Sequence, residues 1–301
     1  MSQGAQSERQ KSTYFYERWR AGGGSGILET FSGTFFLLIA IEYFQASTAL
    51  QSVIAAAHAV GLLLSPVVIY AARYLEMQVS RLTAILHLVG AAALIPFLLE
   101  PFLFGYLLGG MLISFVVTGT IPLLTQVYQQ NYPSAKRGAL FGSSNRIKVI
   151  VAAVFAAAVG KALSDEMSQV PGYMFILFLS LLFSAYCLFR MPSEPLEPEP
   201  GYYPYKSLGL LWQNRDFLWL IIVWMFMGFG NLMMVPLRVI VLVDSKYGFE
   251  YTPGIVALLT AVIPQVVIFL FNGMWGKLFD RINFFLLRFI LNCLFALSIL
   301  T

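Results

Sequence analysis

The feature that most constrains this chain is a series of apolar runs, each long enough to cross a bilayer. A helix needs about 20 apolar residues to span roughly 30 Å of hydrocarbon. The runs lack two-residue alternation, which favours helices over the strands of a membrane barrel. Nine spans are predicted, at residues 26–48, 50–72, 82–99, 102–128, 138–163, 170–191, 217–243, 254–276 and 283–301. The chain is therefore predicted to be an all-α polytopic membrane protein.

Composition excludes a soluble protein of this size. Of 301 residues, 58% are hydrophobic and 11% are charged, whereas soluble domains carry roughly 25% charged residues. Both cysteines, Cys187 and Cys293, lie inside apolar runs, where packing is a simpler role than a disulfide or a zinc site. We expect no cofactor, no metal and no nucleic-acid partner.

Basic residues fall almost entirely in alternate loops. They are Arg9, Lys11, Arg18, Arg20, Arg73, Arg81, Lys136, Arg137, Arg190, Lys206, Arg215, Lys277 and Arg281. The loops between them contain only Lys161 and Lys246, each with acids beside it. Because cytoplasmic loops carry the excess of Lys and Arg, we expect an integral protein of the cytoplasmic membrane with its N-terminus in the cytoplasm.

Two polar stretches divide the chain. Residues 1–25 are predicted to form a cytoplasmic tail, with AGGGSG as a flexible lead-in to the first helix. Residues 193–216 form a Pro- and Glu-rich cytoplasmic linker that no helix can cross unbroken. The linker separates a first six-helix bundle, 26–192, from a partial second bundle, 217–301. Two bundles with a path between them are typical of carriers.

A charged motif follows the eighth predicted span. Residues 276–281 read GKLFDR and include Gly276, Lys277, Asp280 and Arg281. This motif resembles the G-x-x-x-D-R signature of the major facilitator superfamily. The six-span-plus-linker organisation and the segments YPSAKRGALFG and LLWQNRDFLWL are similar to that family as well. The resemblance implies alternating access, with Gly276 permitting close helix approach and with Asp280 and Arg281 as gating residues. Interfacial anchoring is the alternative role for these charges.

The chain also departs from the family pattern. The corresponding loop of the first bundle, SPVVIYAARYLEMQVSRL, lacks the signature Gly and Asp. The fifth span lacks the Gly-Pro pair of many antiporters, which argues against drug export by antiport. Members of this family typically have twelve helices, so we expect a carrier truncated after the ninth.

Polar residues inside spans are the candidate substrate or coupling residues, since burying them in hydrocarbon is costly. Glu42 in the first span and His58 in the second are predicted at similar depth and could carry a coupling proton. Asn231 and Arg238 lie seven residues apart, on one face of the seventh helix. For Glu42 and Arg238 an interfacial position is the alternative, and for His58 simple packing.

Three further charged residues fall near predicted span starts. Glu29 is interpreted most simply as an acid at the N-terminus of the first helix. Arg146 and Lys148 are interpreted as interfacial anchors, with an anionic substrate as the alternative for one of them.

The sequence predicts a secondary active transporter that moves a small solute, with proton coupling as an option. The alternatives are a membrane-embedded enzyme and a non-transporting scaffold. An enzyme is disfavoured because two histidines in different spans leave little catalytic material. The expected partners are a small-molecule substrate, the lipid bilayer and protons.

Overall fold

A computed structural model of the chain describes residues 3–197, 203–205, 209–247 and 249–300. Eight helices in these ranges are long and apolar enough to cross a membrane, which confirms the all-α polytopic prediction. They are α1 (Gln6–Glu42), α2 (Thr48–Tyr74), α3 (Val79–Leu99), α4 (Leu103–Asn131), α5 (Ser134–Asp165), α6 (Met167–Arg190), α7 (Arg215–Val243) and α8 (Pro253–Asn272). The helical structure of α8 continues to Arg281.

The ninth predicted span corresponds to a shorter helix, α9, at Phe284–Leu300. Its 17 described residues fall below the roughly 20 that a perpendicular span requires. A short helical segment, Gly209–Gln213, precedes α7. The connections from α1 to α6 are short, so these successive helices run in opposite directions. We call the end of the bundle where α1 begins the near end, and the opposite end the far end.

The predicted flexible lead-in at residues 21–26 is wrong, because the helix is unbroken from Gln3 through this segment. The glycines permit close packing rather than flexibility. A Cβ at Gly24 would lie 3.0 Å from the side chain of Ser184 in α6, and one at Gly26 would lie 2.9 Å from the carbonyl oxygen of Lys148 in α5. The helical propensity that glycine lacks is offset by this contact with two neighbours.

Helix α1 contains two π-helical turns, Ala21–Ser25 and Phe31–Phe35. A third π-turn, Leu258–Val262, interrupts α8. Such turns are rare and are frequent at functional sites. Only five residues of α-helix, Gly26–Thr30, separate the two turns of α1.

An aromatic core surrounds the second π-turn of α1. The rings of Phe31 and Phe36 stack with centroids 5.0 Å apart, and Tyr106 of α4 meets both edge-on. The buried Tyr106 hydroxyl lies 2.8 Å from the carbonyl oxygen of Phe36 and 3.3 Å from that of Phe35. A hydroxyl from a neighbouring helix therefore donates to backbone carbonyl oxygens where the helical hydrogen-bond pattern changes.

Helix α8 packs against α5 at the far end through small residues. A Cβ at Gly160 of α5 would lie 2.6 Å from the Cβ of Ala257 and 3.3 Å from the Cα of Gly254. The Ser164 hydroxyl donates to the carbonyl oxygen of Gly160 at 2.9 Å and accepts from the backbone N–H of Gly254 at 2.6 Å. That N–H belongs to the first turn of α8, where no intrahelical acceptor exists. Helices α5 and α8 are thus in close contact at the far end.

Candidate functional site

An ion pair joins α1 to α5 well inside the membrane-spanning part of the bundle. The Nζ atom of Lys148 lies 2.7 Å from Oε2 of Glu29. Glu29 is in the short α-helical segment between the two π-turns of α1, and Lys148 is near the middle of α5. The side chains are 39% and 28% exposed, so neither is sealed in the core. Ionisable residues within spans face a cavity or a partner and mark functional sites.

Two cavities meet at this ion pair. The first, which we call the inner cavity, has a volume of about 380 Å³ and lies between α1, α2, α4 and α5. The second, the interface cavity, has a volume of about 330 Å³ and lies where α7 and α8 face α1 and α2. Glu29 and His58 line both cavities. Their side chains therefore lie at the boundary between the first six helices and the two that follow.

Helix α8 contacts the same part of α1. The Nε2 atom of Gln265 lies 3.5 Å from Oε1 of Glu29. The hydroxyl oxygens of Thr34 and Thr260 are 3.1 Å apart, and each threonine belongs to a π-turn. Glu29 is thus approached by α5 on one side and by α8 on the other.

A second polar cluster lies at the near side of the inner cavity. Arg20 Nε and Nη2 donate to the two carboxylate oxygens of Glu17 at 2.8 and 2.7 Å, and Nη2 lies 3.2 Å from the Tyr128 hydroxyl. All three residues are buried. Tyr132, between α4 and α5, stacks on Tyr128, and burial raises the pKa of its phenol, which stays neutral at physiological pH.

The structure separates the two residues that the sequence predicts to act together. Glu42 is exposed at the far end and lines an open pocket of about 590 Å³ with Asp244 and Glu250. His58 lines both of the cavities that contain Glu29. The proposed Glu42–His58 pair is therefore not formed, and His58 faces Glu29 instead.

The remaining predicted site residues lie in α7 and α8. Arg238 is exposed, and its Nε donates to the carbonyl oxygen of Met234 at 3.3 Å in its own helix. The side chains of Asn231, Gly276, Asp280 and Arg281 lie outside the described part of the structure. Their roles stay predictions.

Glu29 and Lys148 are the site residues that the sequence interpretation missed. It took the first helix to begin near residue 26, which made Glu29 a terminal acid, whereas helix already begins at Gln3. Lys148 lies 14 residues after the start of α5 at Ser134. A lysine so far from the start of a span indicates a partner of opposite charge inside the bundle.

No known protein family, curated protein or solved structure matches this chain. The fold and the site therefore define its class on their own: a polytopic helical membrane protein with a charged pair between two cavities.

Proposed function

We propose that this protein is a secondary active carrier that moves a small solute by alternating access, with the two-bundle design of the major facilitator superfamily. The observation that carries the proposal is the position of the Glu29–Lys148 pair, at the boundary between the inner and interface cavities. Carriers bind their solutes near mid-membrane between two helical units. The first six helices and the α7–α8 pair supply two such units.

The contact between α5 and α8 at the far end supports the same proposal. Close contact between Gly160 and Gly254 joins α5 to α8 there, and the cavities lie between that contact and the near end. Rocking of α7 and α8 about this side of the bundle would change access to the site. Thr34 and Thr260, which touch across the boundary, are expected to separate in the alternate state.

The ion pair can couple solute to protons. When Glu29 is ionised it holds Lys148, and when Glu29 is protonated the ammonium becomes available to an anionic group of the solute. The attraction between two charges in a partly desolvated cavity is stronger than at the surface. The paired and unpaired states of Glu29 and Lys148 therefore differ in free energy. His58, at the same boundary, is a second proton carrier.

Uptake into inside-out and right-side-out vesicles tests the proposal. Vesicles containing the protein are given a panel of labelled metabolites at several imposed pH gradients, and Glu29→Gln is the paired variant. We expect saturable uptake of at least one solute class, lowered about tenfold or more in the variant. Inserted protein with no uptake of any panel member would favour the enzyme or scaffold alternatives.

A cross-link tests movement at the boundary between the two helical units. Cys187 and Cys293 are first replaced by alanine, and Thr34→Cys/Thr260→Cys is introduced with a protease site in the linker. We expect oxidation to join the two proteolytic fragments by a disulfide. We expect added solute to change the yield of this cross-link. Cross-linking that is complete and indifferent to every transported solute would contradict movement at this boundary.

A further inference from the structure

A groove on the outer surface of α1 is separate from both cavities. It has a volume of about 710 Å³ and lies between α1, α5 and α6 near the near end of the bundle. It is lined by Lys11, Tyr14, Phe15, Arg18, Trp19, Gly22, Gly23, Ile147 and Phe183. None of the described residues that line it is acidic.

The groove has a basic end and an apolar end. Lys11 and Arg18 lie two helical turns apart on one face of α1. Further along the same face, Gly22 and Gly23 form a floor without side chains. A Cβ at Gly23 would lie 2.6 Å from the ring of Phe183, so the aromatic side chain comes directly against the helix backbone there.

Aromatic side chains lie between the two ends. Phe15 and Trp19 are 55% and 57% exposed. Tyr14 donates to or accepts from the Ser143 hydroxyl of α5 at 2.8 Å and carries the Arg18 guanidinium over its ring at 5.5 Å. Aromatic rings at this position are typical of the membrane–water interface. No charged residue occurs between Arg20 and Glu29, so α1 changes from charged to uncharged along the length of the groove.

We propose that this groove binds one anionic phospholipid of the leaflet nearest the N-terminus, with its phosphodiester at Lys11 and Arg18 and one acyl chain along Gly22, Gly23, Ile147 and Phe183. Charge complementarity selects an anionic lipid, since two cations face the groove and its described lining offers no acid. The apolar floor selects a lipid over a soluble phosphate. The lipid would fasten α1 to α6 and to α5, the helix that supplies Lys148 to the ion pair. This proposal does not depend on transport activity.

Native mass spectrometry of the full chain tests it, with phosphatidylglycerol and phosphatidylcholine of identical acyl chains as probes. Each basic residue at a membrane surface contributes about fivefold to anionic-lipid affinity, so Lys11→Gln/Arg18→Gln should lower phosphatidylglycerol affinity roughly thirtyfold. The matched control, Arg81→Gln/Arg215→Gln, removes two exposed cations from α3 and α7, which do not line the groove, and should leave it unchanged. Equal loss in both double variants, or no loss in the first, would overturn the proposal.

A second variant tests the acyl end. Gly22→Phe keeps both cations but fills the floor, where a Cβ has ordinary contact with Ile147 at 3.7 Å. We expect it to lower phosphatidylglycerol affinity about tenfold while the thermal unfolding midpoint is retained. Soluble sn-glycerol 3-phosphate should not displace the lipid. Displacement at equal concentration would identify a soluble-anion site instead and would contradict the proposal.

Discussion

The ammonium of Lys148 and the carboxylate of Glu29 meet at 2.7 Å across the gap between α5 and α1. Both lie inside membrane-spanning helices, and each is the nearest opposite charge that the structure gives the other. In hydrocarbon either charge alone would be costly. The two charges therefore stabilise the protein as a pair. Removing either one should lower stability, and removing both should restore most of it.

Neutralising the pair one residue at a time gives the first prediction. Glu29→Gln and Lys148→Gln each leave one charge without its partner, whereas the double variant leaves none. We expect each single change to lower the unfolding midpoint by about 3 °C or more and the double variant to recover most of it, a coupling of about 1–2 kcal/mol. Thermal unfolding in detergent measures this, and additive losses would show that the pair contributes no coupling.

Small residues at the far end give the second prediction. Gly160→Ala places a Cβ 2.6 Å from that of Ala257 and forces α5 and α8 apart, whereas a Cβ at Gly142 in the same helix meets nothing within 4 Å. Gly142→Ala should stabilise by about 0.5–1 kcal/mol through lower chain entropy. Gly160→Ala should destabilise by about 1–3 kcal/mol from overpacking. Equal midpoints for the two variants would contradict close helix contact at Gly160.

Glu42 and Glu29 give the third prediction. The sequence favours Glu42 as the coupling acid, whereas the proposed function assigns that role to Glu29. Glu42 is exposed in an open pocket, so water can solvate its charge. We expect Glu42→Gln to keep uptake within about threefold and Glu29→Gln to lose at least tenfold, as measured by pH-driven uptake in vesicles. The reverse order would return the coupling role to Glu42.

The gating motif gives the fourth prediction. Asp280→Asn should slow solute exchange about tenfold without lowering the amount of inserted protein, since the resemblance assigns this charge to the conformational step. Asp165→Asn, an exposed acid at the far end of α5, is the control and should exchange at the wild-type rate. Equal rates in both variants would leave Asp280 as a helix-end anchor.

The sequence predicted eight of the spans, but neither the start of the first helix nor the contacts between helices. Apolar length places eight helices because every backbone polar group in hydrocarbon must bond within its own segment. It does not show which faces meet. The position of Glu29 depends on glycines at residues 22–24 and 26 being helical, against their intrinsic preference. Contact with α5 and α6 stabilises the helical conformation of these glycines, and the local sequence does not reveal that contact.

The π-turns of α1 have a consequence for any residue-by-residue scan of this helix. Each π-turn adds one residue to a turn, so the side chains after it are rotated by about 100° relative to an uninterrupted α-helix. With such turns at Ala21–Ser25 and Phe31–Phe35, one helical wheel cannot describe α1. Labelling of single cysteines along it should follow a 3.6-residue rhythm in three blocks, each out of phase with the last. Deleting one residue from either turn would restore regular α-helix at that turn and rotate the side chains on one side of it by about 100° relative to the rest of α1.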